Sequence, residues 1–167
     1  MMKKLVLSIG VLIAIIGIAI GVMKYFAFDY PYDRDVNSYY RLAVDTATLK
    51  DKSEYLSEYL TALSERGLNQ GQGVLFFQTP KTDLAKQYAI VSAFNDRMKT
   101  GFNMTENSLE YQQLMAQIEA HEIDYVNSDT FKSGYEIKTG WVWGGILSWA
   151  FIILGMVFAV LSPALDD

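Results

Sequence analysis

Residues 5–23 read LVLSIGVLIAIIGIAIGVM, a stretch of 19 residues without a charged side chain. Ser8 supplies its only polar side chain. The hydrocarbon core of a bilayer is about 30 Å thick and takes roughly 20 helical residues to cross. A helix pairs its backbone N–H and C=O groups within the segment, as lipid requires. The stretch therefore predicts a transmembrane helix at residues 5–24.

A cleaved signal peptide is the alternative interpretation of this stretch, because Lys3 and Lys4 precede it. The apolar part of a signal peptide is shorter, about 7–15 residues, and ends in small residues at the cleavage site. Here the apolar run is longer, and residues 23–26 read MKYF. We therefore expect a retained membrane anchor, preceded by a short N-terminal segment at residues 1–4.

A second apolar run, WVWGGILSWAFIILGMVFAVL at residues 141–161, carries no charge in 21 residues. An uninterrupted apolar run of this length is typical of a transmembrane helix rather than of the core of a soluble protein. Pro163 follows and ends the pattern. We predict a second transmembrane helix at residues 141–162 and a short acidic tail at residues 163–167. The expected fold class is an all-α membrane protein, whose two transmembrane helices flank a middle domain at residues 25–140.

Aromatic residues cluster where each apolar run meets the middle domain. Tyrosine and tryptophan favour the headgroup region, because the ring can lie in hydrocarbon while its polar atom stays in water. The predicted interfacial anchors are Tyr25, Tyr30, Tyr32, Trp141 and Trp143. Matching aromatic belts on both runs indicate a hairpin of two helices that cross the same membrane.

Small residues recur along one side of each apolar run. The predicted helix-packing positions are Gly10, Ala14, Gly17 and Gly21 in the first run and Gly144, Ser148, Gly155 and Ala159 in the second. Small side chains let helix backbones approach closely, which favours association in lipid. Glycine and alanine are also common in transmembrane helices without any such role. We expect the two helices to pack on each other or on the helices of a partner.

Charges near the N-terminus favour one orientation in the membrane. Lys3 and Lys4 predict a cytoplasmic N-terminus, and two spans return the C-terminus to the same side. Basic residues of the middle domain argue for the opposite orientation, but loops longer than about 60 residues translocate largely regardless of charge. We expect a multi-pass protein of the cell membrane, of the type found in the inner membrane of a prokaryote, with its middle domain outside the cytoplasm.

The middle domain shows the periodicity of about four helices. We expect Pro31 to break the chain after the first span, and a helical pattern to begin at Val36. A second helix is expected after Thr48, which forms a capping pair with Asp51, and it is expected to stop at Gly67.

Two further helices follow in the pattern. The third is expected to begin at Thr82 or Asp83 and to stop near Gly101, and the fourth is expected to begin at Asn107. Residues 130–140 are expected to lead into the second span, and a helical conformation is one of the two possibilities for them. Short connections favour antiparallel neighbours, so the sequence predicts a small extracytoplasmic helical bundle.

A short apolar run lies between the second and third helical patterns. It consists of Val74, Leu75, Phe76 and Phe77. We expect an extended segment that plugs into the helical core, because a lone strand is unstable. The alternative is an exposed apolar patch, which marks an interaction site. These four residues are the candidate partner contacts.

The composition offers little for catalysis. There is no cysteine, so disulfides, thiolate catalysis and cysteine-based zinc sites are excluded, and His121 is the only histidine. Acidic residues flank His121, but adjacent helical positions diverge by about 100°, so a solvated acidic face is expected. Residues 24–140 contain 12 Lys and Arg against 17 Asp and Glu, which disfavours nucleic acid as a partner. We expect no enzymatic activity, no cofactor and no metal.

These features lead to two hypotheses for function. The first is a non-catalytic structural or accessory subunit of a larger membrane assembly, in contact with the lipid bilayer and with other membrane subunits or copies of itself. The second is a sensory or ligand-binding module that signals through a separate partner. Its order of span, helical bundle and span resembles the extracytoplasmic half of a bacterial chemoreceptor in architecture only, since just residues 162–167 follow the second run. An oligomeric pore or lysis-type protein is a third class.

Overall fold

The structure, a computed structural model, describes residues 2–105, 108–125 and 128–162, with the side chains of all of these except residues 2–3 and 119–125. In chain order the helices are α1 (Met2–Lys24), α2 (Tyr30–Tyr32), α3 (Ser38–Asp45), α4 (Leu49–Glu65), α5 (Leu84–Thr100), α6 (Leu109–Tyr125), α7 (Ser128–Thr139) and α8 (Trp141–Leu161). The described residues contain no β-strand, only an isolated antiparallel bridge between Gln72 and Asp83. The all-α prediction is therefore confirmed.

The chain divides into two compact units. The first unit combines both ends of the chain, Met1–Tyr30 and Lys138–Asp167, and the second unit is Pro31–Ile137.

The first unit is built on α1 and α8, which have 23 and 21 residues. At a rise of 1.5 Å per residue they are about 34 and 32 Å long, enough to cross a hydrocarbon core of about 30 Å. Both are apolar enough to do so. They pack antiparallel, since Gly10 lies against Phe158 while Gly17 lies against Ser148 and Ile152. The chain therefore carries two candidate membrane-spanning helices, as the sequence predicts.

The prediction that Pro31 breaks the chain is wrong. Helical backbone runs through Pro31, and the segments on either side, Tyr25–Asp29 and Asp33–Asn37, are π-helical. Proline lacks an N–H group, and its ring clashes with the carbonyl four residues earlier in an α-helix. The wider π-helical turn shifts the bonding by one residue, so that the N–H of Tyr30 donates to the Tyr25 carbonyl. This bulge accommodates the proline without ending the helix.

In the second unit, α4 begins and ends as predicted. Thr48 Oγ1 accepts a hydrogen bond of 3.1 Å from the N–H of Asp51, which caps the helix. At the other end the N–H of Leu68 donates to the Leu63 carbonyl at 2.8 Å, and Gly67 has a φ of 67°. This left-handed conformation is easily adopted by glycine and closes the helix in a Schellman motif.

The later helices of the second unit follow the predictions in part. Asp83 caps α5, since its Oδ1 accepts a hydrogen bond of 3.2 Å from the N–H of Lys86, and α5 ends one residue before Gly101. Asn107, the predicted cap of α6, lies outside the described residues. Residues 130–140 lead into α8 mostly as a helix, one of the two possibilities, because α7 spans Ser128–Thr139. The described part of this unit therefore contains five helices of two turns or more, where the sequence predicts about four.

A single aromatic-rich cluster forms the core of the second unit. Tyr59 is fully buried at its centre, with ring centroids of Tyr40 and Phe131 at 5.6 and 6.1 Å. Other fully buried members are Tyr32, Val36, Leu63, Leu68, Leu84, Val91, Met98 and Ile118. Tyrosine side chains thus supply much of the bulk of the core.

A buried polar contact joins α4 and α5 within this core. Ser53 Oγ donates to Asn95 Oδ1 at 2.7 Å, and Asn95 Nδ2 donates to Ser57 Oγ at 2.9 Å. Ser57 Oγ in turn donates to the Ser53 carbonyl at 2.8 Å. Because buried polar groups are stable only when hydrogen-bonded, this network fixes how α4 and α5 lie against each other.

Candidate functional site

Glycine residues bring α1 and α8 into backbone contact, and we call this contact the seam. A Cβ atom on Gly10 would lie 3.0 Å from the carbonyl oxygen of Gly155, and one on Gly17 would lie 2.9 Å from that of Ser148. From the other side, a Cβ on Gly155 would lie 2.8 Å from Ala14 Cβ. No larger side chain fits at these three glycines unless the helices move apart.

Ser148 provides a polar contact across the seam. Its hydroxyl donates a hydrogen bond of 2.8 Å to the Gly17 carbonyl oxygen, and the residue is buried. A Cβ on Gly21 would lie 2.9 Å from Ser148 Oγ. The Gly17–Gly21 pair therefore forms the surface against which the Ser148 side chain rests. The structure brings these three predicted packing residues together.

The two remaining packing positions differ from each other. Ala159 lies in the seam, with its backbone nitrogen 3.4 Å from where a Cβ on Gly10 would be. Gly144 lies against its own helix instead, because a Cβ there would meet the ring of Trp141 at 2.8 Å. The missing side chain at Gly144 therefore leaves room for the Trp141 ring and does not bring α1 and α8 together.

Ile152 is a seam residue that the pattern of small residues does not predict. Its Cγ1 would lie 2.9 Å from a Cβ on Gly17. With Ser148, Gly155 and Ala159 it repeats the spacing of four, three and four residues found in α1. The helical spacing includes position 152, but isoleucine is not a small residue and so does not belong to the small-residue pattern.

The aromatic residues at the ends of the spans fall into two groups. Tyr25, Tyr30 and Trp143 are about half exposed, and Trp141 is half-buried. Tyr32 is different, because it is only 1% exposed and belongs to the core of the second unit. Its ring stacks on Tyr135 with a centroid distance of 5.4 Å. Tyr32 is therefore a core residue in this structure, and the prediction that it anchors the chain at the headgroups is corrected.

Residues 73–82 form a closed loop between α4 and α5, which we call the aromatic loop. Its ends are joined by a hydrogen bond of 2.7 Å from the N–H of Gly73 to the Thr82 carbonyl. A second bond of 3.0 Å runs from the N–H of Leu84 to the Gly71 carbonyl. A surface loop of this length whose ends lie together is an Ω-loop, a type that is frequently functional.

The base of the aromatic loop packs on α7. A Cβ on Gly73 would lie 2.6 Å from the Thr130 carbonyl oxygen, so only glycine allows this approach. Leu84, just after the loop, is fully buried, and its side chain would lie 2.8 Å from a Cβ on Gly134. These contacts hold the base of the loop in place.

The tip of the aromatic loop points into solvent. Phe76 is 73% exposed and Phe77 is 95% exposed, while Leu75 is 40% exposed and Val74 is half-buried. The prediction that this run plugs the core is wrong, because the hydrogen bond between Gly73 and Thr82 closes the loop and leaves Phe76 and Phe77 on the surface. The alternative interpretation, an exposed apolar patch, describes the structure. Phe77 also has a φ of 57°, a left-handed conformation that costs an L-residue about 1–2 kcal/mol.

A groove of about 200 Å³ lies between α5 and α6. Among the described side chains, its apolar lining includes Ile90, Phe94, Leu114 and Ile118, and its polar lining is Arg97 and Gln117. Phe94 and Ile118 are buried, whereas Arg97 and Gln117 are exposed. The sequence does not predict this groove, because apolar residues on two helical faces predict direct contact between the helices rather than a gap.

The described residues hold no group of three or more His, Cys, Asp or Glu side chains that could bind a metal ion. The acidic cluster around His121 lies outside the side chains that the structure describes. Three features therefore remain for a functional argument: the seam, the aromatic loop and the groove. No protein-family model, no curated protein and no solved structure matches this chain.

Proposed function

We propose that this chain is a non-catalytic structural or accessory subunit of a larger membrane protein assembly. The aromatic loop carries the proposal. Phe76 and Phe77 expose most of their surface to water on a base that is fixed by hydrogen bonds and by the contact of Gly73 with Thr130. Exposed aromatic residues on a rigid support are the usual anchors of protein interfaces. The strained backbone of Phe77 supports the same role, since such strain concentrates at binding sites.

The hairpin of α1 and α8 supports the proposal that the chain is embedded in a membrane. The seam uses one side of each helix, and the other sides expose large apolar residues such as Ile16 and Ile153. These surfaces suit lipid or the helices of partner subunits. We further propose that Lys3 and Lys4 lie in the cytoplasm and that α3–α7 form an extracytoplasmic helical bundle on the cell membrane of a prokaryote.

Site-specific photo-cross-linking tests the partner contact. Phe77 is replaced by p-benzoylphenylalanine in the full-length chain, and the same replacement at Phe102, which is also exposed but lies outside the aromatic loop, is the matched control. In native membranes the probe at position 77 should give one discrete adduct with a different membrane subunit, identified by mass spectrometry. The probe at position 102 should not give this adduct.

Two results would contradict the proposal. An adduct pattern that is the same at positions 77 and 102 would show non-specific contact. A homo-oligomer that purifies in mild detergent without another chain would exclude a stoichiometric partner.

Cysteine labelling tests the orientation, because the chain has no cysteine of its own. A Gln78→Cys variant should react with a membrane-impermeant maleimide in intact cells. A Met2→Cys variant should react only after the membrane is permeabilised. The reverse pattern would place the second unit in the cytoplasm.

A sensory or ligand-binding module, signalling through a separate partner, is the second candidate function. The groove between α5 and α6 is the observation that favours it. A ligand that binds the native state raises the apparent stability of the protein. Thermal stabilisation by a small molecule, without any co-purifying subunit, would favour this candidate over the first.

A further inference from the structure

We infer that the groove between α5 and α6 binds a small monocarboxylate with an aryl or short alkyl tail. The apolar residues of the groove hold the tail, and Arg97 binds the carboxylate. This site lies on different residues from the aromatic loop and does not depend on the proposed accessory role.

The apolar lining and the volume define the tail of the ligand. Phe94 and Ile118 are buried, and Ile90, Ala93 and Leu114 also belong to the apolar lining that the described side chains form. The groove has a volume of about 200 Å³. A whole helix, which is about 10–12 Å across with its side chains, does not fit inside this volume, so a partner helix would insert only single side chains. The volume and the apolar lining suit a small molecule with an apolar part, and this is the occupant that we infer.

Arg97 defines the head of the ligand. It lines the groove from an exposed position, and none of the described acidic side chains pairs with it. Lys99, two residues further along α5, contacts Asp96 at 3.7 Å. The guanidinium group binds a carboxylate through two parallel N–H···O bonds. Gln117 provides an amide that can donate a further hydrogen bond.

The charge of the protein makes this arrangement selective. The full chain has a net charge of −5, so its surface as a whole does not attract anions. A cation beside an apolar groove on such a surface distinguishes an anion that has an apolar tail from one that has none.

Ligand-observed NMR on the full-length chain in lipid nanodiscs tests the inference. The probes are phenylacetate, 3-phenylpropanoate and 4-methylpentanoate, and phenylacetamide is the neutral control for phenylacetate. Empty nanodiscs measure the background from lipid. At least one carboxylate should saturate, and phenylacetamide should bind at least about tenfold more weakly than phenylacetate, because a hydrogen bond to a charged group is lost.

Three variants locate the site. Arg97→Gln should weaken carboxylate binding about tenfold or more, while Arg41→Gln, a matched change at an exposed arginine of α3, should leave it unchanged. Ala93→Phe places a ring in the groove from an exposed position and should abolish binding. All three positions are exposed, so each variant should keep its melting temperature.

Several outcomes would overturn the inference. The first is that none of the three carboxylates saturates above the level of empty nanodiscs. The second is that the wild type and Arg97→Gln bind the carboxylates with equal affinity. The third is that Ala93→Phe binds them as the wild type does. A change of oligomeric state in Ala93→Phe would also overturn it, because the groove would then receive a second copy of the chain.

Discussion

The hydroxyl of Ser148 on α8 donates a hydrogen bond of 2.8 Å to the carbonyl oxygen of Gly17 on α1. The absence of a side chain at Gly17 allows this bond, because a Cβ there would lie 2.9 Å from the Ser148 carbonyl oxygen. One glycine thus provides both the close approach and the acceptor. The other serine of the two apolar runs, Ser8, donates within its own helix to the Lys4 carbonyl at 2.8 Å.

Ser148→Ala should weaken the hairpin. Interhelical hydrogen bonds in membrane proteins contribute about 0.6 kcal/mol on average and up to about 1.7 kcal/mol. Unfolding in mixed detergent micelles of increasing SDS content, followed by the tryptophan fluorescence of α8, should show a lower midpoint for this variant. Ser8→Ala removes the same atom without a contact between helices and should leave the midpoint unchanged. Equal losses in both variants would show that the Ser148 bond does not hold the helices together.

Gly17→Leu should separate the helices at the centre of the seam. The new side chain would collide with the Ser148 carbonyl and with Ile152, and overpacking of this kind costs about 1–3 kcal/mol. The same SDS titration should show a larger drop than for Ser148→Ala. Ala19→Leu adds a side chain at an exposed position of α1 and serves as the control. If Gly17→Leu and Ala19→Leu unfold at the same midpoint, the seam does not decide the stability of the hairpin.

The contacts of the seam follow from sequence patterns that have a direct geometric meaning. A run of apolar residues long enough to cross a bilayer predicts a helix, and the helical period then places Gly10, Gly17 and Gly155 along one side of their helices. Caps are equally local, which is why Thr48 and Asp83 mark the starts of α4 and α5. The contact of Ile152 does not follow from this pattern, because it depends on Gly17 of the facing helix and not on a small side chain at position 152.

The errors arise where backbone hydrogen bonds override the expectation from residue type. Pro31 predicts a break, but π-helical hydrogen bonding on either side of it lets the helix continue. Phe76 and Phe77 predict burial by their apolar character, yet the aromatic loop closes between Gly73 and Thr82 and leaves both outside. Both outcomes depend on backbone hydrogen bonds, and hydrophobic periodicity does not predict which of these bonds form.

Asn95→Ala should destabilise the second unit. The change removes the acceptor of Ser53 Oγ and leaves a buried hydroxyl without its partner, which costs about 1–3 kcal/mol. Thermal unfolding followed by near-ultraviolet circular dichroism should show a lower melting temperature. Asn69→Ala removes an exposed amide that donates to Ser64 Oγ at 3.3 Å, and it should change stability by less than about 0.5 kcal/mol. A melting temperature for Asn95→Ala within error of the wild type would mean that the buried network adds no stability.

Tyr59→Phe should preserve or increase stability at neutral pH, which is unusual for a change in the core. The Tyr59 hydroxyl is buried and finds no hydrogen-bond partner among the described residues. An unpartnered buried polar group costs about 1–3 kcal/mol, and phenylalanine keeps the ring contacts with Tyr40 and Phe131. Denaturant titration at pH 7.5 should therefore give a free energy of unfolding at or above that of the wild type. A clear loss would indicate that the hydroxyl is hydrogen-bonded in the folded protein.

Tyr59 should also make the second unit sensitive to alkaline pH. Burial raises the pKa of the Tyr59 phenol well above its usual value, and the nearby Tyr32 and Tyr40 add to the shift. The phenol ionises near pH 10 in the unfolded chain but keeps its proton in the folded protein, so the folded state binds more protons above that pH. Ionisation of this phenol therefore leaves the free energy of unfolding unchanged below about pH 10. Above that pH it lowers the free energy of unfolding by about 1.4 kcal/mol per pH unit. The free energy of unfolding between pH 10 and 11.5 should therefore fall less steeply in Tyr59→Phe than in the wild type. Identical slopes would show that water reaches the phenol in the native state.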